Sequence, residues 1–114
     1  MASVVYLTTE PVRVTAATVQ SLRLALDVSA FDELDLILTV YEGTSVVCKI
    51  VTAMQNEDDV QGWLNANGAS PFGSVSAGAS GKANFQNFLK YVRWEVTSSG
   101  NATFMISGIG RRWA

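Results

Sequence analysis

Apolar and polar residues alternate with a period of two along most of this chain, which is the pattern of half-buried β-strands. In the segment "ELDLILTVYE" (33–42), one face is apolar: Leu34, Leu36, Leu38 and Val40. The same alternation runs from Leu22 to Val28 and from Val92 to Val96, where Trp94 lies on the apolar stripe. Helical spacing is almost absent, and only "NEDDVQGWL" could form a helical turn. The pattern therefore predicts an all-β protein.

Turn residues divide these segments into strands and predict how consecutive strands connect. Glu42-Gly43-Thr44 separates 33–42 from "SVVCKIVTAMQ", and "SSGN" (98–101) separates 91–97 from "ATFMISGIG". Both pairs are predicted to form hairpins. Gly108 and Gly110 late in the last strand indicate a bulge or a close approach by another backbone. Shorter strands are predicted at Val4 to Thr8, Val12 to Thr15, Gly62 to Asn65, Gly73 to Ser76 and Ala83 to Phe88.

The segment 65–84, "NANGASPFGSVSAGASGKAN", consists almost entirely of small and polar residues. Such a composition predicts loops that flank one short strand at Phe72 to Ser76, with disorder as the alternative. No internal repeat or linker interrupts the chain. Residues 1–114 are therefore expected to form a single domain, an antiparallel jelly-roll β-sandwich of about eight strands, with a closed barrel as the alternative.

Composition favours contact with other proteins over several other functions. Hydrophobic residues make up 48% of the 114 residues and charged residues only 16%, which is below the usual quarter. The net charge of -2 provides no basic surface for nucleic acid. No basic leader begins the chain and no apolar run is long enough for a membrane span, so we expect neither secretion through a cleaved leader nor membrane insertion. Cys48, the single cysteine, alternates with apolar residues and is expected to be buried and unreactive.

The residues that most enzymes require are scarce. There is no histidine, which removes the commonest general base and the usual zinc ligand. One cysteine cannot build a zinc or iron–sulfur site, and no phosphate-binding glycine motif is present. The sequence therefore predicts neither catalytic residues, nor a cofactor, nor a metal.

Carboxylates give the two weakest chemical hypotheses. The candidates are Glu33, Asp35, Glu42, Glu57, Asp58, Asp59 and Glu95. Glu33 and Asp35 share one strand face and could form a glycosidase pair, but solvated outward charges explain them better. The run Asn56 to Asp59 offers clustered oxygens for calcium, although it lacks the alternating ligand spacing of calcium loops. A solvated turn is the favoured interpretation there.

Aromatic and arginine side chains provide candidates for binding. Tyr91 and Arg93 share the outward face of their strand, and the chain ends with Arg111, Arg112 and Trp113. Tyrosine, tryptophan and arginine are enriched in protein interfaces, so these five residues are the candidate interface. A frayed terminus is the alternative for the last three. Trp63, which follows a glycine near a loop, is the candidate for stacking on a glycan.

The segment "NFLKYVRWEVTSSGNATFMISGIG" resembles the closing strands of jelly-roll domains in tailed-phage virion proteins. "LDVSAFDELDLILTVYEG" is similar to an earlier strand pair of these domains, and "MQNEDDVQGWLNANGASPFGSV" to the section where a polar loop precedes a Trp-bearing strand. A weaker similarity is to galactose-binding-like domains, which bind sugars through end loops. The first resemblance implies a capsid-decorating or head-tail accessory subunit, assembled in the host cytoplasm, and it carries over no catalytic residues.

The expected function is therefore that of a non-enzymatic structural virion protein. Its partners would be capsid subunits or neighbouring copies of itself, with no nucleic acid and no membrane. The alternative is a lectin-like module that recognises host glycans through Trp63 and the loop from Asn65 to Gly81. The mostly Gly, Ala and Ser composition of this loop weakens the alternative, because sugar sites need aromatic and hydrogen-bonding side chains.

Overall fold

The alternation of the sequence appears in the fold as strands with one buried and one outward face. The computed structural model describes residues 2–57, 63–98 and 100–113, and within them eleven strands and one short 3-10 helix, Leu22–Leu24. The strands are β1 (Ala2–Tyr6), β2 (Val12–Val14), β3 (Thr18–Val19), β4 (Leu26–Asp27), β5 (Glu33–Glu42), β6 (Val46–Ala53), β7 (Leu64–Ala66), β8 (Ser74–Val75), β9 (Ser80–Phe85), β10 (Tyr91–Thr97) and β11 (Ala102–Arg111). Over these ranges, no helix has the length and the hydropathy that crossing a bilayer requires.

Two antiparallel sheets pack face to face. The five-stranded sheet has the order β1-β11-β5-β9, with β2 also pairing with β11, and the six-stranded sheet has the order β3-β10-β6-β7, with β4 also on β10 and β8 also on β6. Short strands that share a neighbour can be counted together as β1/β2, β3/β4 and β7/β8. Eight positions then remain, which we number 1 to 8 in chain order, so that β1/β2 is position 1 and β11 is position 8. In these numbers the two sheets have the orders 1-8-3-6 and 2-7-4-5, which are those of a jelly roll. The predicted all-β jelly-roll sandwich of about eight strands is confirmed.

Both predicted hairpins are wrong. β5 pairs with β11 and β9, whereas β6 pairs with β10, β7 and β8, so the turn at Gly43 to Ser45 carries the chain from one sheet to the other. β10 and β11 also lie in opposite sheets. Gly43 and Ser45 have positive φ values of 120° and 53°, which gives this connection its sharp change of direction. Consecutive strands here face each other across the core instead of lying side by side.

The core lies between the two sheets and forms one apolar cluster. Leu34, Leu36 and Leu38 of β5 are fully buried on the inward face. Across the core, the Trp94 ring of β10 meets the Phe104 ring of β11 edge to face, with 4.9 Å between the ring centroids. Cys48 is also in this core, and burial raises the pKa of its thiol to about 12. The predicted burial of Cys48 is confirmed, and the raised pKa disfavours the thiolate form that a reactive cysteine needs.

Two local predictions need correction. The alternation from Leu22 to Val28 predicted a strand, but its first half is the 3-10 helix, because the Ser21 hydroxyl accepts a hydrogen bond from Arg23 N and Ala25 N bonds to Leu22 O. Only β4 remains extended. In the glycine- and serine-rich segment, the alternative of disorder is wrong, since Phe72 and Val75 insert into the core and anchor it.

Candidate functional site

The open outer face of the five-stranded sheet brings together the outward side chains of four strands. Leu34, Leu36 and Leu38 point inward, so the residues between them point away from the core. Register pairs Asp35 with Ile109 on one side and with Asn84 on the other. One row across the sheet is therefore Val4, Ile109, Asp35 and Asn84, and the next is Tyr6, Ser107, Ile37 and Lys82. Polar residues thus lie together at one end of this face, and a group of apolar residues lies next to them.

The polar end is a hydrogen-bonded group that we term the polar cluster: Glu33, Asp35, Asn84, Gln86, Arg111 and Trp113. Asn84 Nδ2 donates to Glu33 Oε2 at 2.6 Å and to Asp35 Oδ1 at 2.7 Å. The Arg111 guanidinium forms an ion pair with the other Asp35 oxygen. Trp113 Nε1 lies 3.5 Å from Glu33 Oε1. Strand pairing places these side chains next to one another, although 49 residues separate Asp35 from Asn84.

Both carboxyl groups of the polar cluster are held in the charged form. The hydrogen bonds from Asn84 and then from Arg111 lower the pKa of Asp35 below its ordinary 3.8, and the hydrogen bond from Asn84 lowers the pKa of Glu33. Glycoside hydrolysis needs one carboxyl with a raised pKa, which remains protonated to donate its proton. Glu33 and Asp35 both shift in the opposite direction, so this pair lacks the acid of such a mechanism.

The lowered pKa of Asp35 makes stability depend on pH. A carboxyl whose pKa is lower in the folded state stabilises the protein above its unfolded pKa, and this stabilisation is lost as pH falls through the folded pKa. Asp35→Asn should therefore lower the urea midpoint at pH 7, and the difference from wild type should shrink as the pH falls below about 5 and through the lowered pKa of Asp35. Urea unfolding at a series of pH values measures this. An equal difference at every pH would contradict an electrostatic origin.

The apolar end of the same face is what we term the apolar patch: Val4, Tyr6, Ile37 and Ile109. Their exposed fractions lie between 39% and 64%. Val4 stands opposite Ile109, and Tyr6 and Ile37 both stand opposite Ser107, so the four side chains are neighbours. Single exposed apolar residues are common on proteins, whereas contiguous exposed apolar groups are a frequent feature of contact surfaces.

The outer face of the six-stranded sheet is covered where the sequence suggested an interface. Arg93 does point outward, but it is only 7% exposed, which corrects the expectation of an open side chain. The Trp63 ring lies over its guanidinium at 4.3 Å, and Arg93 also donates to the Gln20 carbonyl oxygen at 3.1 Å. Trp63 in turn donates its Nε1 to Glu57 O at 2.6 Å. Trp63, the predicted glycan contact, thus uses one ring face and its only donor within the protein.

The remaining interface candidates lie on both sheets and do not form one site. Tyr91 is half-buried on the outer face of the six-stranded sheet, with the Lys90 ammonium 5.3 Å from its ring centroid. Arg111 belongs to the polar cluster of the other sheet, followed by the exposed Arg112 and Trp113. Trp113 N donates to Asp32 Oδ2 at 2.7 Å, which connects the chain after β11 to the residue before β5.

The other carboxylate candidates form no metal site in the part of the chain that the structure describes. Asp58 and Asp59 of the proposed calcium loop lie outside the described residues, and the Asn56 amide donates to Leu22 O at 3.0 Å. Glu42 accepts from Thr103 and Arg13, which lower its pKa. Among the described residues, no three cysteine or acidic side chains come together as metal ligands would.

The sequence did not point to Asn84 and Gln20, two amide side chains that form hydrogen bonds between distant segments. Asn84 alternates with the buried Ala83 and Phe85, so its outward position could have been read from the pattern, but its partners could not. Gln20 has no such signal, although it is almost completely buried and bonds to three segments. Comparison with known proteins adds no further assignment: no family model, no curated protein and no solved structure matches this chain.

Proposed function

We propose that this protein is a non-enzymatic structural subunit that binds other protein subunits through the outer face of its five-stranded sheet. The observation that carries this proposal is the apolar patch, in which four neighbouring side chains stay exposed on an otherwise well-packed sandwich. Covering such a patch with a partner removes apolar surface from water, which is the main driving force of protein association. Tyr6 adds an aromatic side chain, a residue type enriched in interfaces.

The polar cluster would form the rim of this interface. Arg111 is fixed by Asp35, and Trp113 is more than half exposed beside it. A rim of charged and amide groups contributes orientation and partner selection more than affinity. Trp113 extends this rim beyond the end of β11, next to Glu33.

The particle that we propose for this subunit is the virion of a tailed phage, where it would decorate the capsid or act as a head-tail accessory protein. Support comes from the resemblance of the strand sequences to virion jelly-roll domains and from the jelly-roll strand order. Because one fold serves many functions, the decisive test is a test of binding.

Ile109→Lys should weaken association while the domain stays folded. Ile109 belongs to the apolar patch, between Val4 and Asp35, and lysine there would remove apolar contact area and require a charge to be desolvated when a partner covers the patch. The measurement is co-sedimentation of the purified chain with capsids made from the structural genes beside its own gene, together with sedimentation velocity of the chain alone. We expect the variant to bind at least about tenfold more weakly, the loss of roughly 1.4 kcal/mol.

The matched control is Leu64→Lys, which places the same charge on an exposed leucine of β7 in the other sheet. This control should bind as the wild type does. A wild-type chain that remains monomeric at every concentration and does not sediment with the capsids would overturn the proposal. Equal loss in both variants would show that the patch is not the contact surface.

A second candidate function is recognition of a host glycan, and one observation favours it. Trp113 presents an exposed indole beside the carboxylate and amide groups of Glu33, Asp35 and Asn84. Stacking on an indole and hydrogen bonds to such groups are the usual means of holding a sugar ring. The site would then lie at Trp113 and no longer at Trp63. Binding on a glycan array that Trp113→Ala removes and Trp63→Ala retains would replace the assembly proposal with this one.

A further inference from the structure

The strand β1 forms one edge of the five-stranded sheet, and among the described strands it pairs with β11 alone. Leu7 N donates to Ile106 O at 3.1 Å, which continues the register of β1 on β11 by one residue. Every second residue of an antiparallel strand turns its main-chain groups to the same side, so Ser3 and Val5 face β11 as Leu7 does. The alternate residues turn their N–H and C=O groups to the free edge: Ala2, Val4 and Tyr6.

This edge lacks the features that usually protect an edge strand. Natural proteins keep such strands short, place charges or proline on them, or cover them with other parts of the chain. The strand β1 has five residues, and the segment 2–9, "ASVVYLTT", contains neither a charged residue nor a proline. Val4 is 64% exposed and Tyr6 is 50% exposed. The edge of β1 is therefore open to pairing with a further strand.

The other edges of the two sheets are protected or short. The strand β9 carries Lys82, and Asn67 Nδ2 donates to the main-chain oxygen of Asn84 in this strand at 2.6 Å. The strand β2, which follows β1 along β11, carries Arg13 in an ion pair with Glu42. In the six-stranded sheet, the edge strands β3, β4, β7 and β8 have two or three residues each. Among the described edge strands of more than three residues, β1 is thus the unprotected one.

The outward groups of β1 match those of a second β1. Two copies of this strand can pair antiparallel about a two-fold axis at Val4, with Val4 opposite Val4 of the second copy and Ala2 opposite Tyr6. Each outward residue then meets another outward residue, which gives about six main-chain hydrogen bonds, two for each of the three pairs. A shift by one residue would instead place outward groups against groups that face β11. The register with Val4 at the axis pairs the whole strand.

The side chains are compatible with this register as well. On the outer face, Ile109 and Val4 would continue into Val4 and Ile109 of the second copy, so that four apolar side chains form one row. Tyr6 would stand opposite Ala2, whose small side chain leaves space for the ring. Since the segment 2–9 has no charged residue, no like charges meet at the axis. The pairing would join the apolar patches of both copies into one surface.

We propose that β1 is a self-association edge, through which two copies of this chain pair antiparallel about Val4 and form one continuous sheet. This goes beyond the proposed function, which concerns side chains of the outer face, because the edge acts through main-chain groups. Val4 and Tyr6 belong to both surfaces, so the test has to separate their main chain from their side chains. One short strand per copy buries less than the roughly 800 Å² per partner of a standard interface, and we expect a dissociation constant between about 10 and about 100 µM.

Sedimentation velocity of the full chain, from about 5 µM to about 1 mM, should show a monomer that becomes a dimer. Val4→Pro removes an N–H group that points to the free edge, a position where an edge strand tolerates proline. This variant should dimerise at least about tenfold more weakly, with a urea midpoint close to that of the wild type. Ile109→Lys is the control, because it leaves the main chain of β1 unchanged and should keep the dimer. Loss of the dimer and loss of capsid binding are then reported by different variants.

A charge exchange at Val4 tests the register without proline. Val4→Lys and Val4→Glu change an exposed side chain, so both variants should fold. In either variant alone, two like charges would stand opposite each other at the axis, and the dimer should be about fivefold weaker than that of the wild type. An equimolar mixture should associate about fivefold more tightly than either variant alone, because an ammonium group then stands opposite a carboxylate.

Four results would overturn the proposal. A wild-type chain that stays monomeric up to about 1 mM would do so even if it bound capsids, in which case the outer-face function would remain. A folded Val4→Pro variant that dimerises as the wild type does would show that the edge takes no part. A mixture of the charged variants that associates no better than each alone would contradict the register. Loss of the dimer in Ile109→Lys but not in Val4→Pro would assign self-association to the outer face instead.

Discussion

Gln20→Leu is expected to lower the free energy of unfolding by about 3 kcal/mol, because it leaves three backbone groups without their hydrogen-bond partners. These groups are Leu7 O, Leu24 O and Trp94 N. Leucine fills most of the space of the glutamine side chain but cannot form hydrogen bonds, so most of the loss arises from the unsatisfied polar groups. Leu7 lies just after β1 of one sheet, while Trp94 belongs to the other, so the glutamine also joins the two sheets.

Urea unfolding followed by tryptophan fluorescence measures this loss, and the melting temperature should fall by about 10 °C. Gln86→Leu is the matched control, since Gln86 is exposed and bonds only to side chains of the polar cluster. Its cost should remain within about 0.5 kcal/mol. If both variants lost the same free energy of unfolding, the buried hydrogen bonds of Gln20 would not be the cause of the destabilisation.

Gly108→Ala is expected to cost about 3 kcal/mol for a different reason, namely lack of space. A Cβ atom at residue 108 would overlap with the Asp35 carbonyl oxygen and lie 2.9 Å from Leu36 Cα. Both are backbone atoms of β5, so neither can rotate away, and β11 would have to separate from β5 at the centre of the sheet. The close backbone approach that the sequence indicated at Gly108 is confirmed.

The matched control is Gly100→Ala, where an added Cβ meets nothing within 4 Å. It should leave the unfolding free energy within about 0.5 kcal/mol of wild type. Gly110→Ala should have an intermediate effect, because its added Cβ meets the Phe31 ring, a side chain that can shift. A Gly108→Ala protein as stable as Gly100→Ala would show that β5 and β11 can separate at low cost.

The sequence by itself determined the elements and their buried faces. The alternation around Leu36 and around Trp94 predicted two strands with their inward residues, and both lie in the core as expected. Local side-chain chemistry overrode the pattern at Leu22 to Leu24, where the Ser21 hydroxyl starts a 3-10 helix. Successive side chains of a strand point to opposite faces, and the face that packs on the core must be apolar. The buried face can therefore be identified from the sequence as apolar residues at every second position.

Only the tertiary structure decided which strands are neighbours. A strand buries the same stripe whether the next strand lies beside it or faces it across the core, so alternation could not distinguish a hairpin from a crossing between sheets. The sequence therefore predicts one hairpin for β5 and β6, although these strands lie in opposite sheets.

The candidate functional surfaces also depend on which strands are neighbours. The contacts of Asn84 with Asp35, of Trp63 with Arg93 and of Gln20 with Trp94 each join segments that are distant along the chain. The sequence indicates that Arg93 points outward, but the Trp63 ring that covers it lies 30 residues earlier in the chain. The apolar patch likewise exists only because β1, β11 and β5 pair in one register. The types of residue on a surface limit what that surface can bind, whereas strand pairing decides which residues come together on one surface.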